Sequence, residues 1–396
     1  MKTVQIQPPV WLLIFIGALP LLTDALYAPT LSDIARSLGV ADALAQYAYT
    51  IYIIGYALGT FFWGTISDKI GRKPSLLMAA TVYAIGSLGC VWSVTIFQFM
   101  ASRFVQAFGC SAAALLVQAI ARDVLPVAGR GNLNALLAIV LAFPLAIMPI
   151  LGGWIDQVYG WPAVFLLLFC IGALLFVVSA YLLPETCDVN HTDPVHLTTI
   201  ARRFIADKQL LACGILSAAC DGIQASYYAE GSFCLINILG LTPSLYGTTF
   251  LTIAAAGLTG GLLARFLARW LSPMALIKTG LSFMVIGTLV YLLGTLAIVM
   301  WHLSSLHSLV LILGCMMLVL IGIAILKANA LGIALENYHR GAGTAAALFG
   351  LFATLIVSLF SFGMGTLHDG TLLPMPSYFF CITLLMVGVY FCMDKK

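Results

Sequence analysis

Twelve apolar stretches, each of about twenty residues or more and joined by mostly short polar connections, dictate what this chain can become. A helix needs roughly 20 apolar residues to cross the hydrocarbon of a bilayer. Inside that solvent every backbone N–H and C=O must be satisfied within the span itself. Apolar periodicity and Gly/Pro breakers place the spans at 9–31, 44–67, 75–94, 97–121, 133–156, 161–183, 209–238, 244–268, 273–298, 307–333, 342–366 and 374–393. Only 8% of the 396 residues are charged and 62% are hydrophobic, with a mean hydropathy of +1.06. Soluble domains carry about 25% charged residues, so most of this surface is expected to face lipid. The apolar run after Lys2 has features of a secretory signal. Asp24 and two prolines interrupt the region where cleavage would fall, and it is read as an uncleaved first span.

The one long polar connection divides the chain into a six-span bundle over 1–183, a central loop over 184–208 and a second six-span bundle over 209–396. Orientation follows from lysine and arginine bias. Lys2, Lys69, Arg72, Lys73, Arg122, Arg130, Arg202, Arg203, Lys208, Arg265, Arg269, Lys278, Arg340, Lys395 and Lys396 fall on the side of the N-terminus, and only Arg36 falls opposite. Both termini and the central loop are therefore predicted to be cytoplasmic. The halves also repeat, since Gly64, Asp68 and Arg72 recur as Gly261, Arg265 and Arg269 at equal spacing.

Several function classes drop out. The net charge of +3 sits at helix ends and carries no nucleic-acid reading. Most of the ten cysteines lie within apolar runs, none in a C-x-x-C pair, so no metal site is expected. No Gly-rich loop followed by Lys-Ser/Thr is present to hold ATP. Histidines 191, 196, 302, 307, 339 and 368 are scattered over loops without a carboxylate beside them in a span, and no enzyme is expected.

What remains are ionisable groups within the spans, which are costly in lipid and mark functional sites. Asp24 lies between Pro20 and Pro29 in span 1, where prolines loosen the helix and admit water. Arg103 in span 4 needs a counter-ion. At ~1.5 Å rise per residue, both lie near 10 Å from the outer boundary, so the two are expected to pair. In the second half Asp221 and Glu230 fall in span 7 and Lys327 in span 10. Lys327 either snorkels to the cytoplasm or faces a cavity with Asp221. Gln224, Tyr227 and Tyr228 on span 7 suit a solute with aromatic or hydroxyl parts, and Tyr27, Gln106 and Glu230 are further candidates to line the substrate cavity.

The hairpin GTISDKIGRKPSLL, with Gly64, Asp68, Gly71, Arg72 and Lys73 in the pattern G-x-x-x-D-x-x-G-R-K, resembles the signature loop of the major facilitator superfamily. TDALYAPTL, spanning Asp24 and Tyr27, is similar to the first-span motif of Bcr/CflA-type drug-resistance transporters, a drug:proton antiporter group. Arg103, Gln106 and Gly109 match a second motif, R-x-x-Q-G-x-G, with Ala107 at its first glycine; Arg122 and Asp123 match an R-D pair. PLAIMPILGGWI, with Pro144, Pro149, Gly152 and Gly153, resembles the antiporter motif of span 5, with Met148 where a glycine is common. The resemblance implies an all-α fold of twelve transmembrane helices in two pseudo-symmetric six-helix bundles, with a substrate site between them. It further implies a monomer in the bacterial inner membrane, without a cofactor, that uses the proton gradient and exports a small molecule through Asp24 and Arg103. A nearby guanidinium lowers a carboxylate pKa and desolvation raises it, so an acid balanced between them can load and release a proton. Asp68 and its basic neighbours are expected to form a cytoplasmic latch, the acid resting on a helix N-terminus and the basic groups touching anionic lipid. Siderophore or other polar-metabolite transport, import by symport, and a non-transporting receptor or scaffold are the alternatives.

Overall fold

The computed structural model describes residues 8–124, 144–187, 207–335 and 342–394. Among the described residues the chain is helical throughout, with α1 Val10–Tyr27 running through a 3₁₀ turn, Ala28–Thr30, into α2 Leu31–Ser37. Then follow α3 Asp42–Ile70, α4 Arg72–Val91, α5 Ile96–Val124, α6 144–159, α7 Trp161–Leu182 and α8 Lys208–Ser232, which ends in a π-turn, Phe233–Ile238. The last five are α9 Pro243–Leu267, α10 Pro273–Trp301, α11 Ser305–Leu335, α12 Ala342–Leu367 and α13 Pro374–Asp394. Eleven described helical segments are long and apolar enough to cross a membrane, and α6 stands at the place of the fifth predicted span. Arg130, Arg202, Arg203, Arg340 and most of the central loop lie outside the described residues.

Helix ends carry local signals that stop and start the chain. Asp207 accepts hydrogen bonds from the amides of Gln209 and Leu210, both at 3.1 Å, at the start of α8. Thr242 and Ser272 do the same for Leu245 and Ala275, each just ahead of a proline at the first helical position. Gly71 alone connects α3 to α4, with φ +100°; a Cβ there would fall 2.5 Å from a Glu185 carboxylate oxygen. Only glycine meets both demands.

Packing repeats between the halves. In the first, α3 and α4 lie against α5, α4 against α7 and α1 against α5; in the second, α9 and α10 lie against α11, α10 against α13 and α8 against α11. Those pairs correspond under a shift of six spans, as two pseudo-symmetric six-helix bundles require. Large apolar side chains such as Leu262, Phe97, Leu293 and Leu359 point outward, as lipid-facing residues do. We call the end that carries Gly71 the basic end and the opposite one the far end.

Candidate functional site

Asp24 lies in the last turn of α1, just ahead of the 3₁₀ turn that contains Pro29. Its neighbour Thr23 fixes this turn: the Thr23 hydroxyl lies 2.8 Å from the Leu19 carbonyl and 2.8 Å from the Tyr83 hydroxyl on α4. Asp24 itself is partly buried, and its Oδ1 has no hydrogen-bond partner. Arg103 is fully buried on α5.

The predicted ion pair between them is absent. Arg103 lies instead between two aromatic faces, 4.0 Å from the ring centre of Tyr27 and 4.0 Å from that of Tyr52. Its Nη1 donates to Gln106 Oε1 at 2.6 Å, and Gln106 Nε2 donates to Ser87 Oγ at 2.8 Å. A guanidinium is attracted to the negative face of an aromatic ring, more strongly when water is excluded. The two tyrosines therefore hold the cation without consuming the carboxylate. Tyr27 and Gln106, proposed from sequence to line a cavity, are buried at 1% and 0% exposure and serve as supports for Arg103. Gly109 completes the motif by close approach: a Cβ there would stand 2.4 Å from the Tyr83 amide nitrogen on α4.

In the second half, Asp221, Gln224 and Tyr228 share one face of α8 at helical spacing. Gln224 Nε2 donates to Tyr228 Oη at 2.6 Å. Lys327 on α11 does not snorkel; its ammonium pairs with Asp221, and both side chains remain part-exposed, at 39% and 36%. Tyr227 points away from that face into the core, at 1% exposure, with its hydroxyl beside Thr249. Glu230 also departs from the group: it is fully buried at the far end.

At the basic end Arg72 is the hub. Its Nη1 meets Asp68 Oδ1 at 2.5 Å and Ser67 Oγ at 2.9 Å, and its Nε meets Asp123 Oδ2 at 3.0 Å. The carboxylate that rests on a helix N-terminus is Glu185, not Asp68. Glu185 accepts from the amides of Arg72 at 2.9 Å and Lys73 at 3.1 Å, the first two residues of α4. Arg122 turns back to the Gln118 carbonyl at 3.2 Å. A Cβ on Gly64 would meet nothing closer than 3.5 Å, so close packing does not explain that glycine.

The two halves are bonded to each other toward the far end. Thr50 on α3 meets Ser361 on α12 at 3.0 Å, and the Tyr47 and Phe362 rings stack with centroids 5.0 Å apart. The span-5 motif supplies a second seam. A Cβ on Gly153 would lie 2.2 Å from the Pro243 carbonyl oxygen, and one on Gly247 would lie 2.3 Å from that of Pro149, so α6 and α9 touch backbone to backbone. Gly152 meets the Leu26 backbone just as closely, at 2.4 Å. Pro144 opens the described part of α6.

A group that sequence reasoning missed also lies here. His368, in the turn after α12, places Nδ1 2.9 Å from Glu230 Oε1 and Nε2 3.8 Å from Asp42 Oδ2. Its only local signal is the neighbouring Asp369; its partners are 138 residues upstream on α8 and, from the other half, at the start of α3. At the basic end, the polar bonds seen among the described residues stay within one half.

The family model for the Major Facilitator Superfamily matches residues 13–364. An uncharacterized transporter of Rickettsia bellii is 28% identical over 92% of this chain and 91% of its own. A bicyclomycin resistance protein homolog of Haemophilus influenzae is 26% identical over 94% and 92%. Among solved structures, the crystal structure of a D-xylose-proton symporter superposes with a TM-score of 0.78 at 15% identity, covering 98% of this chain and 96% of that one.

Proposed function

The chain belongs to the major facilitator superfamily, and from that premise we propose that it exports a lipophilic drug-like solute in exchange for protons. It works as a monomer in the bacterial inner membrane, with both termini and the basic end cytoplasmic, in two bundles over 1–183 and 209–396 joined by the loop 184–208. The lysine and arginine bias supports that orientation, and the bicyclomycin resistance protein homolog supports that class of solute. With the far end outside, the seams at α3–α12 and α6–α9 close the outer side.

One observation carries the antiport reading: an acid at membrane depth has a carboxylate oxygen without a partner, while the nearest buried cation is engaged by aromatic rings. Such an acid is free to exchange its proton when water or solute reaches it. A proton bound at Asp24 from outside and released inside drives the solute outward by alternating access. Asp221 and Lys327 neutralise each other, which favours a lipophilic solute over a polar or zwitterionic one.

The test is flux in proteoliposomes carrying an imposed pH gradient, with ethidium as the probe. Asp24→Asn is expected to abolish gradient-driven movement while the protein stays folded. Undiminished coupled transport by that variant would refute the assignment.

A further inference from the structure

The cluster at the far end joins the halves through ionisable groups that the Asp24 mechanism does not use. Glu230 is fully buried on α8. Its carboxylate accepts from Gln46 Nε2 of the other half, from His368 Nδ1 at 2.9 and 3.0 Å to its two oxygens, and from Cys234 Sγ at 3.4 Å. The His368 side chain is only 9% exposed, lies against the Phe233 ring, and turns Nε2 toward Asp42 of the first half, 3.8 Å away. Asn237 holds the same Asp42 oxygen at 3.1 Å. Asp369 is the remaining charged neighbour of His368, and Tyr246 and Tyr291 stand behind Glu230 in the core.

We propose that His368, Glu230 and Asp42 form a second proton site, built across the seam, and that a proton on His368 holds the far end shut. A neutral imidazole with hydrogen on Nδ1 still serves Glu230, but its Nε2 then presents a lone pair to Asp42. Adding a proton to Nε2 gives a second donor aimed at the opposite half and one positive charge between two carboxylates. Removing it leaves Asp42 and Glu230, one from each half, facing each other without a cation, which favours parting and entry of water. The proton returns to water through the opened seam, and no other bond is made or broken.

The sign follows from the environment. Hydrogen bonding to Glu230, together with the charges of Glu230, Asp42 and Asp369, raises the His368 pKa above its ordinary 6.5 against the opposing effect of burial. The stabilisation of the closed seam is therefore complete below pH 6.5 and fades as pH rises through the raised value. In an exporter, an acidic exterior then closes the outer door after solute has left. Asp24 would drive the exchange; this cluster would time it.

The experiment measures the distance across the far end by pulsed electron paramagnetic resonance on the full chain in nanodiscs. Labels at Ala41 and Leu306, both exposed, are carried on unnatural amino acids because ten native cysteines are present. Asp24→Asn is the background, so titration of Asp24 contributes nothing and the outcome is independent of which solute is moved. The fraction of closed distances is expected to fall about twofold or more between about pH 5.5 and 8.5. His368→Gln is expected to abolish that pH response, and His368→Lys, a cation at both pH values, to stay closed at both. A pH response that survives His368→Gln overturns the proposal, as does its absence from the parent with native His368.

Discussion

Replacing Tyr52 separates the two ways in which it could serve the proton site. Its ring faces Arg103 at 4.0 Å, and its buried hydroxyl lies beside Asp24 and Cys110. Tyr52→Phe keeps the cation–π face and removes only the hydroxyl; a net hydrogen bond is worth about 0.5–1.5 kcal/mol, so no more than that is expected to be lost. Tyr52→Leu removes one of the two main aromatic faces that hold the guanidinium. A desolvated cation–π contact is worth about 2 kcal/mol, and the smaller side chain leaves a void costing a further 1–2 kcal/mol or so. The leucine variant should therefore lose roughly 3–4 kcal/mol, against about 1 kcal/mol or less for phenylalanine. It should also lose proton coupling, because the released guanidinium can pair with Asp24. Unfolding in detergent by chemical denaturant, followed by tryptophan fluorescence, gives the stability difference, and pH-gradient-driven ethidium flux gives the coupling. If Tyr52→Phe proves as damaging as Tyr52→Leu, the hydroxyl holds the site together, and the aromatic clamp on Arg103 is wrong.

Glu185→Gln removes the negative charge at the start of α4 while keeping an acceptor; a loss of about 0.3–1 kcal/mol is expected, read as a small drop in melting temperature that salt diminishes. Lys327→Ala and Asp221→Ala each strand one half-exposed charge, so each should cost no more than about 1 kcal/mol, and the double variant should recover most of that in a thermal double-mutant cycle. Gly153→Val places its Cβ 2.2 Å from the Pro243 carbonyl oxygen; the far-end distance distribution should shift to longer values at every pH. An unchanged distribution would mean that α6 and α9 can part there without opening the exterior.

Much of the fold was legible because lipid enforces a simple length rule. The predicted limits 161–183, 244–268 and 374–393 fall within a residue or so of Trp161–Leu182, Pro243–Leu267 and Pro374–Asp394. The first span runs longer than expected because Pro29 redirects the helix through a single 3₁₀ turn, and α2 continues to Ser37. Depth was legible too, since a residue count along a helix gives height. Azimuth was not. Counting residues brings Asp24 and Arg103 to one level, yet it cannot tell that Tyr27 and Tyr52 stand against the cation. Nor does local pattern reveal that Glu185 returns from the end of α7 to cap α4, or that His368 meets an acid 138 residues away. These contacts depend on how helices are rotated and neighboured, which a one-dimensional pattern leaves open.

Part of what closes the far end is polar: a hydroxyl with a hydroxyl at Thr50 and Ser361, an amide with a carboxylate at Gln46 and Glu230. An oily junction of equal area would resist parting, because separation would wet apolar surface. Hydroxyl, amide and carboxylate groups instead exchange one another for water at little net change in free energy. A door hung partly on such groups has no large thermodynamic preference for either position from them, leaving small inputs such as one proton or one bound solute to decide where it rests.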